Sequence, residues 1–526
     1  MAGGRRSDHP RVPDPSTLEP VTGTAVPSVA RVVALTVLFH PRIERVGERA
    51  LIGGLSRLDA EVSRLSPRFS REGEGAPLED GYVSRKPLRL VGEGAAGVRL
   101  DASETSMTVR VEGAPLAGVC RIEARALERG VALELADRVV LLLHSVGASH
   151  GRPPDHGLAG TSAAIDAVRL DIGRAAQEDV PVLLRGESGV GKELVAQAIH
   201  RSSARAAGPY IAVNMAAIPA ATAPADLFGH ERGAYTGAGA PHGGYFGAAE
   251  GGTLFLDEIG EASAEVQPML LRALEAGEVQ PVGAQRTRRV DVRVVAATES
   301  DLEAAVRAGR FRLPLLHRLA GYEVRIPPLR ERREDIAVLM LEFLRRELAR
   351  VGGEERLADP GPGKPTWLTT SLLTRATQLA WEGNARQLRN FCRQLAIACR
   401  DLSVVELPAA LEHMLAGGSE AGAGVGVASE VSSERRPIDE ATLVEALRRN
   451  GWQVAPTARE LGVAKNTLYR LMERCDRIRK AGDLAPAEIV EARARCGGDV
   501  ERMAELLEVS PRGLQLRMHE LGMASE

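Results

Sequence analysis

"VPVLLRGESGVGKELVAQAIH", residues 180–200, reads as a buried strand, a glycine-rich turn and an amphipathic helix, in that order. Gly186, Gly189 and Gly191 let the backbone curl so that its N–H groups point at phosphate oxygens, and Lys192 adds a point charge where the helix begins. The stretch predicts a nucleoside triphosphate site cradled by Gly186, Glu187, Ser188, Gly189, Val190, Gly191, Lys192 and Glu193. Glu193 stands where the general pattern has Ser or Thr as a magnesium ligand.

Downstream, "GGTLFLDEIGE" (251–261) ends an apolar run on Asp257 and Glu258. Two carboxylates at the carboxyl edge of a strand lie where α/β sheets bind ligands. Asp257 is expected to hold Mg²⁺, directly or through water, and Glu258 to polarise the water attacking the γ-phosphate. Around these motifs, residues 158–415 alternate apolar strands with amphipathic helices, the pattern of a mainly parallel sheet covered by helices.

Two breaks isolate this block: "SHGRPPDHG" at 149–157, and the flexible run "AGGSEAGAGVGVASEVSSERRP" at 416–437. Before them, 27–148 carries short β-rich pieces such as "RVVALTVLFH", "MTVRVEG" and "VALELADRVVLLLH", which predict a small β-sandwich. After them, 438–526 is predicted all-helical and repeats itself. Laying Leu443 over Ile489 makes Gly451/Gly497, Val454/Val500, Ala458/Ala504, Leu461/Leu507 and Leu468/Leu514 coincide, which predicts a duplicated supersecondary unit.

Bulk properties limit the partners. At 526 residues several domains are expected, and a net charge of −3 selects neither nucleic acid nor membrane for the chain as a whole. The five cysteines are scattered without metal-ligand spacing, as in reduced cytoplasmic proteins. No stretch approaches the roughly 20 apolar residues needed to cross a bilayer. Residues 1–26 lack an apolar h-region and read as a disordered leader, so a cytoplasmic location is expected. Between the two nucleotide motifs lies "GAYTGA", Gly233, Ala234, Tyr235, Thr236, Gly237 and Ala238. It makes a poor core and a poor helix, since glycine costs about 1 kcal/mol per helical position against alanine, and is expected to be a mobile loop.

With these motifs the block 158–415 resembles the AAA+ domain of sigma-54-dependent transcriptional activators, the bacterial enhancer-binding proteins. "GESGVGKE" is that family's phosphate loop, including its Glu at position 193, and "LFGHERGAYTGA" matches its signature loop with Tyr235 in place of phenylalanine. The resemblance implies a P-loop ATPase subdomain over 158–330, a helical lid over 331–415, ATP and Mg²⁺ as cofactors, and a homo-oligomer between dimer and hexamer. It marks Gly233–Ala238, Thr236 above all, for contact with sigma-54 RNA polymerase. Asn214 in "VNMAAI" falls where an asparagine pairs with the catalytic glutamate, here Glu258. Arg312 and Arg318 match the arginine fingers that reach a neighbour's γ-phosphate, and Arg386 in "WEGNARQLRN" matches the sensor II arginine. At sensor I the family writes "ATN" where this chain has Thr298 followed by Glu299, a carboxylate that would repel phosphate.

At the ends, "TARELGVAKNTLYRLM" resembles a Fis-type helix-turn-helix, with Lys465, Asn466, Thr467 and Arg470 implied as contacts to upstream double-stranded DNA. The first repeat, 438–480, is assigned to DNA because 441–480 carries nine Lys/Arg against four Asp/Glu, while 481–526 has five against nine. The second, with Gly513 in its would-be recognition helix, is expected to pack or dimerise. "GYVSRKPLRL" (81–90) resembles a forkhead-associated (FHA) domain, a phosphothreonine-binding sandwich in which Ser84 and Arg85 would donate to a phosphate. The chain writes "VEG" at 111–113 where that family has "NG". The principal expectation is an ATP-hydrolysing transcriptional activator that binds upstream DNA and remodels closed complexes of sigma-54 polymerase. The alternatives are a phosphopeptide-regulated AAA+ remodeller not acting on promoters, and a scaffold that binds ATP with little turnover.

Overall fold

The computed structural model describes residues 31–147 (less 72), 153–234, 240–417 (less 362–363), 440–450, 452, 457, 484–497, 499–507, 509, 514–515 and 517–518. Two compact units divide the chain, Met1–Ser429 and Glu430–Glu526.

The first unit opens with strands β1 (Arg31–Phe39), β2 (Arg49–Gly53), β3 (Asp59–Val62), β4 (Leu88–Gly92), β5 (Val98–Asp101), β6 (Val109–Val111), β7 (Ala114–Pro115), β8 (Val119–Ile122), β9 (Val131–Leu135) and β10 (Val139–Gly147), with α1 (Ala124–Arg129) before β9. They form two antiparallel sheets, in the orders β2-β1-β10-β9-β6-β7 and β3-β4-β5-β8. Alternate residues of both sheets (Val33, Leu35 and Val37 of β1, Leu141 and Leu143 of β10, Leu88 and Leu90 of β4, Leu100 of β5) meet in one interior, which makes the block a β-sandwich.

The ATPase block follows, with α2 (Ala163–Gln177), β11 (Val182–Arg185), α3 (Lys192–Ser202), β12 (Tyr210–Asn214), α4 (Ala223–Phe228), α5 (Gly244–Ala248), β13 (Thr253–Asp257), α6 (Val266–Ala276), a ribbon of β14 (Glu278–Val279) and β15 (Arg288–Arg289), β16 (Arg293–Thr298), α7 (Leu302–Arg307), α8 (Leu313–Leu319) and β17 (Tyr322–Arg325). Its sheet is wholly parallel, in the order β12-β13-β16-β11-β17. The strands read as unbroken apolar runs because both faces are covered. Val182, Leu184, Phe255, Val295 and Ala297 pack on α2 and α3. Leu183, Leu254, Leu256, Val294 and Ala296 pack on the side of α4, α6 and α8.

A lid of α9 (Arg333–Val351), α10 (Thr370–Gln378), α11 (Asn384–Cys399) and α12 (Ala409–Gly417) completes the unit. Its core is shared with the sandwich: Leu38, Phe39, Ala132, Val140 and Leu142, on the outer face of β1, β9 and β10, are buried with Ile336, Met340, Leu344, Leu373 and Phe391 of the lid. In the second unit, α13 (Glu440–Arg449), α14 (Pro486–Cys496) and α15 (Val500–Leu506) are described. Ile489, Ala492, Met503, Ala504 and Leu514 form a small core, and Gly497 ends α14 in the left-handed conformation. No helix among the described residues is long and apolar enough to cross a membrane.

Candidate active site

The parallel order brings the chemistry to one edge. β16 lies between β11, which feeds the phosphate loop, and β13, which carries the acidic pair; Thr298 ends opposite Arg185, and Asn214 opposite Asp257. The loop turns through positive φ at Gly189 (76°) and Gly191 (106°), a region costly for any residue with a Cβ. It delivers Lys192 as the first residue of α3, almost buried, with its Nζ donating to the Gly186 and Glu187 carbonyls at 3.0 and 3.3 Å. The same ammonium lies 3.7 Å from Glu258 Oε1.

Glu258 sits just past β13 in the left-handed region (φ 53°), its N–H donating to Asp257 Oδ1 at 3.1 Å. Burial raises its pKa above the ordinary carboxylate value; Lys192 opposes this, and the Asp257 and Glu299 carboxylates add to it. A glutamate so tuned suits a general base. Glu299 therefore acts on Glu258 through charge, while its own side chain is exposed. Asn214 Oδ1 accepts from Ala216 N at 2.9 Å and caps the turn after β12, one strand from the acidic pair. Glu193 Oε1 accepts from Gln197 Nε2 at 3.3 Å along its own helix.

The lid closes the other side. Arg386 Nη1 donates to Ser188 Oγ at 3.0 Å. A Cβ on Gly189 would run into the Gly383 carbonyl oxygen, so loop and lid touch backbone to backbone. Sequence reading missed a third support. Glu187 accepts two hydrogen bonds from Arg330, at 2.5 and 2.8 Å, and one from Asn384 Nδ2 at 3.1 Å; Asn384 also donates to the Ser188 carbonyl at 3.0 Å. Glu187 is held below the usual carboxylate range, first by Arg330. The one local signal was the density of charge in "LRERRED" (329–335).

Arg312 caps the start of α8 and Arg318 lies in its last turn, both with exposed side chains; Arg318 Nε donates to the Leu274 carbonyl at 2.9 Å. The glycine-rich loop leaves the domain between His230 and His242, which bridge antiparallel, while Glu231 N donates to Val282 O at 3.0 Å. Gly233 and Ala234 are described; Tyr235, Thr236, Gly237 and Ala238 lie outside the described residues, as do Lys465, Asn466, Thr467, Arg470 and Gly513. In the sandwich, Ser84 Oγ lies 3.4 Å from Ser106 Oγ and accepts from Lys86 N, beside exposed Arg85. Asp257 presents hard oxygen donors at the strand edge beside the cradle, a donor set that fits Mg²⁺ brought in with nucleotide.

Phosphate loop, acidic strand end, interposed β16 and helical lid define an AAA+ P-loop ATPase. A model of the sigma-54 interaction domain matches residues 158–325, and one of the AAA+ ATPase lid domain matches 330–423. The regulator NtrC of Escherichia coli (strain K12) is 40% identical over 61% of this chain and 70% of its own length. The anaerobic nitric oxide reductase transcription regulator NorR of Serratia proteamaculans (strain 568) is 35% identical over 83% and 85%. The crystal structure of NtrX from Brucella abortus in complex with ATP aligns over 69% of each chain at 29% identity, with a TM-score of 0.44. The chain belongs to the sigma-54-dependent transcriptional regulators typified by NtrC and NorR.

Proposed function

We propose that the chain binds upstream DNA through its first C-terminal repeat and uses ATP hydrolysis to drive the loop Gly233–Ala238 against sigma-54 polymerase, opening closed promoter complexes. The observation that carries this reading is where the loop is rooted. It leaves and re-enters between β12, ending at Asn214, and β13, ending at Asp257, pinned by His230, His242 and Val282. In this reading a shift of the acidic edge on hydrolysis passes to the loop base through α4 and α5, which lie in the same connection.

In the reaction, Lys192 and the loop N–H groups hold the phosphates, and Glu258 takes the proton of the attacking water. Magnesium held at Asp257 would supply charge neutralisation on the phosphates. Arg386 closes over the nucleotide from its own lid, while Arg312 and Arg318, exposed on α8, serve a neighbouring subunit of a homo-oligomer. Lys465, Asn466, Thr467 and Arg470 contact DNA. The sandwich takes a phosphothreonine partner at Ser84 and Arg85, a reading supported by the paired Ser84 and Ser106 hydroxyls at its loop edge.

The test is open-complex formation on a sigma-54 promoter with purified polymerase. Thr236→Ala is expected to keep ATP turnover and lose opening, and retained opening would sink the coupling role of the loop. Deleting 438–526 should abolish promoter-specific binding while turnover persists; unaltered binding would return the chain to the class of general protein remodellers.

A further inference from the structure

The segment Leu329–Asp335 is gripped from three sides within seven residues. Towards the nucleotide, Arg330 holds Glu187 with two hydrogen bonds and Arg332 Nη2 donates to Val190 O at 3.4 Å, both acceptors lying in the phosphate loop. Towards the interdomain connection, the Asp335 carboxylate is fully buried and accepts from Thr161 N, Ser162 N and Ser162 Oγ at 2.6 to 2.8 Å. Towards the sandwich, Arg333 donates to Gly130 O at 2.5 Å and to Thr377 O of the lid at 2.7 Å, and its guanidinium lies 3.6 Å from Glu112.

Glu112 is the residue of "VEG" that departs from the FHA pattern. It occupies a left-handed turn (φ 51°), which asparagine holds at lower cost than glutamate. The longer side chain reaches what asparagine would not: Oε2 accepts from Gln378 Nε2 at 2.5 Å, and Oε1 accepts from Ala132 N at 2.7 Å while facing Arg333. A conformationally costly residue whose carboxylate spans sandwich and lid is a docking group.

We propose that Glu112 with Arg333, and Arg330 with Glu187, form one positioning relay through which the N-terminal sandwich sets how firmly the phosphate loop is held for ATP. None of these four side chains needs to touch a reacting atom. Each fixes the next, because Arg330, in the 3₁₀ turn Leu329–Glu331, stands three residues before Arg333, the first residue of α9. The relay rests on ATP hydrolysis by this chain, and on neither the sigma-54 nor the phosphopeptide reading.

The test is steady-state ATP hydrolysis by the full chain, comparing Glu112→Asn, Arg330→Ala and the double variant. Asparagine tolerates the left-handed turn, so the sandwich keeps its fold while the reach to the lid is lost. A support present equally before and during chemistry acts on KM, with kcat little changed. Each single variant is expected to raise KM for ATP about three- to tenfold, and the double variant to be no worse than Arg330→Ala, as contacts in one network are non-additive. An unchanged KM for Glu112→Asn, a fall in kcat alone, or KM effects that multiply in the double variant would each overturn the relay. Amide exchange gives a second readout: residues 186–191 should exchange faster in Glu112→Asn, and unaltered protection there would equally count against it.

Discussion

Glu258 shows how much of the mechanism depends on a single local environment. Its burial and its neighbours Asp257 and Glu299 hold the proton more tightly than an ordinary carboxylate does, and Lys192 at 3.7 Å limits the effect. Glu258→Gln keeps the shape and removes the proposed base, so ATP turnover should fall by about 10²- to 10⁴-fold while nucleotide binding persists, as checked by turnover and by titration with a fluorescent ATP analogue. Glu299→Gln acts in the opposite sense on the pH profile. Removing a nearby negative charge lowers the pKa of Glu258, so more of the base is ionised at a given acidic pH. The acid limb of kcat/KM should move to lower pH; an unmoved limb would mean that another group controls it. "AATESDL" allowed the suspicion that Glu299 repels phosphate, but its action on Glu258 depends on β16 lying beside β13, a pairing with no local mark in the sequence.

At the scale of elements, the strand and helix around the phosphate loop were legible because every level of information agrees there: an apolar run, glycines where φ is positive, and an amphipathic helix. The role of β10 was only half legible. "VVLLLH" was read as one strand of a sandwich, yet its unbroken apolar run carried a second message, because a strand with one wet face alternates. Val140 and Leu142 point away from the sandwich interior into the lid, beside His144, and that is why the run does not alternate. On the facing helix α9, Glu334 lies with Oε1 4.0 Å from His144 Nδ1. Burial pushes Glu334 up to about 7, with Asp335 adding to the rise, and pushes His144 down to about 3. A carboxyl whose folded pKa exceeds its unfolded value contributes stability that is full below the unfolded value, near 4.5, and is lost as pH rises through about 7. Glutamine mimics the protonated form at every pH. Glu334→Gln should therefore stabilise the first unit by up to about 3 kcal/mol near pH 8.5 and by less than about 1 kcal/mol near pH 5, read as the difference in Tm from the parent protein. The His144 contribution is common to both proteins and cancels. Gly189→Ala tests the opposite edge of the lid: its Cβ meets the Gly383 carbonyl, so the lid must open and ATP affinity should drop at least tenfold in an equilibrium titration.

For the whole molecule, the shared core of sandwich and lid makes the N-terminal block part of the ATPase structure rather than a bead on a string. What this arrangement leaves exposed is one face of α8, whose Leu315, Leu316 and Leu319 are buried while Arg312, at its N-cap, and Arg318 carry charge that no described acidic side chain pairs with. Under the proposed function, an ATP site with its lysine, base and lid arginine in place, but with these two arginines facing outwards, is completed by a neighbour. Catalysis across a boundary and catalysis within one subunit then differ when two inactive variants are mixed. Lys192→Ala destroys the cradle and keeps the arginines; Arg318→Ala keeps the cradle and loses the arginine. Each alone should be nearly inactive, by about 10³-fold or more for the arginine. Mixed in equal amounts, the two form boundaries in which an intact cradle faces an intact arginine. About one boundary in four is of this kind if subunits mix at random, so the mixture should recover up to roughly a quarter of parental turnover. Recovery must also rise with protein concentration, because the boundary exists only in the assembly. Two inactive variants that stay inactive at every ratio and concentration would mean that Arg318 acts within its own subunit or only in folding, and circular dichroism of the variant separates those two cases.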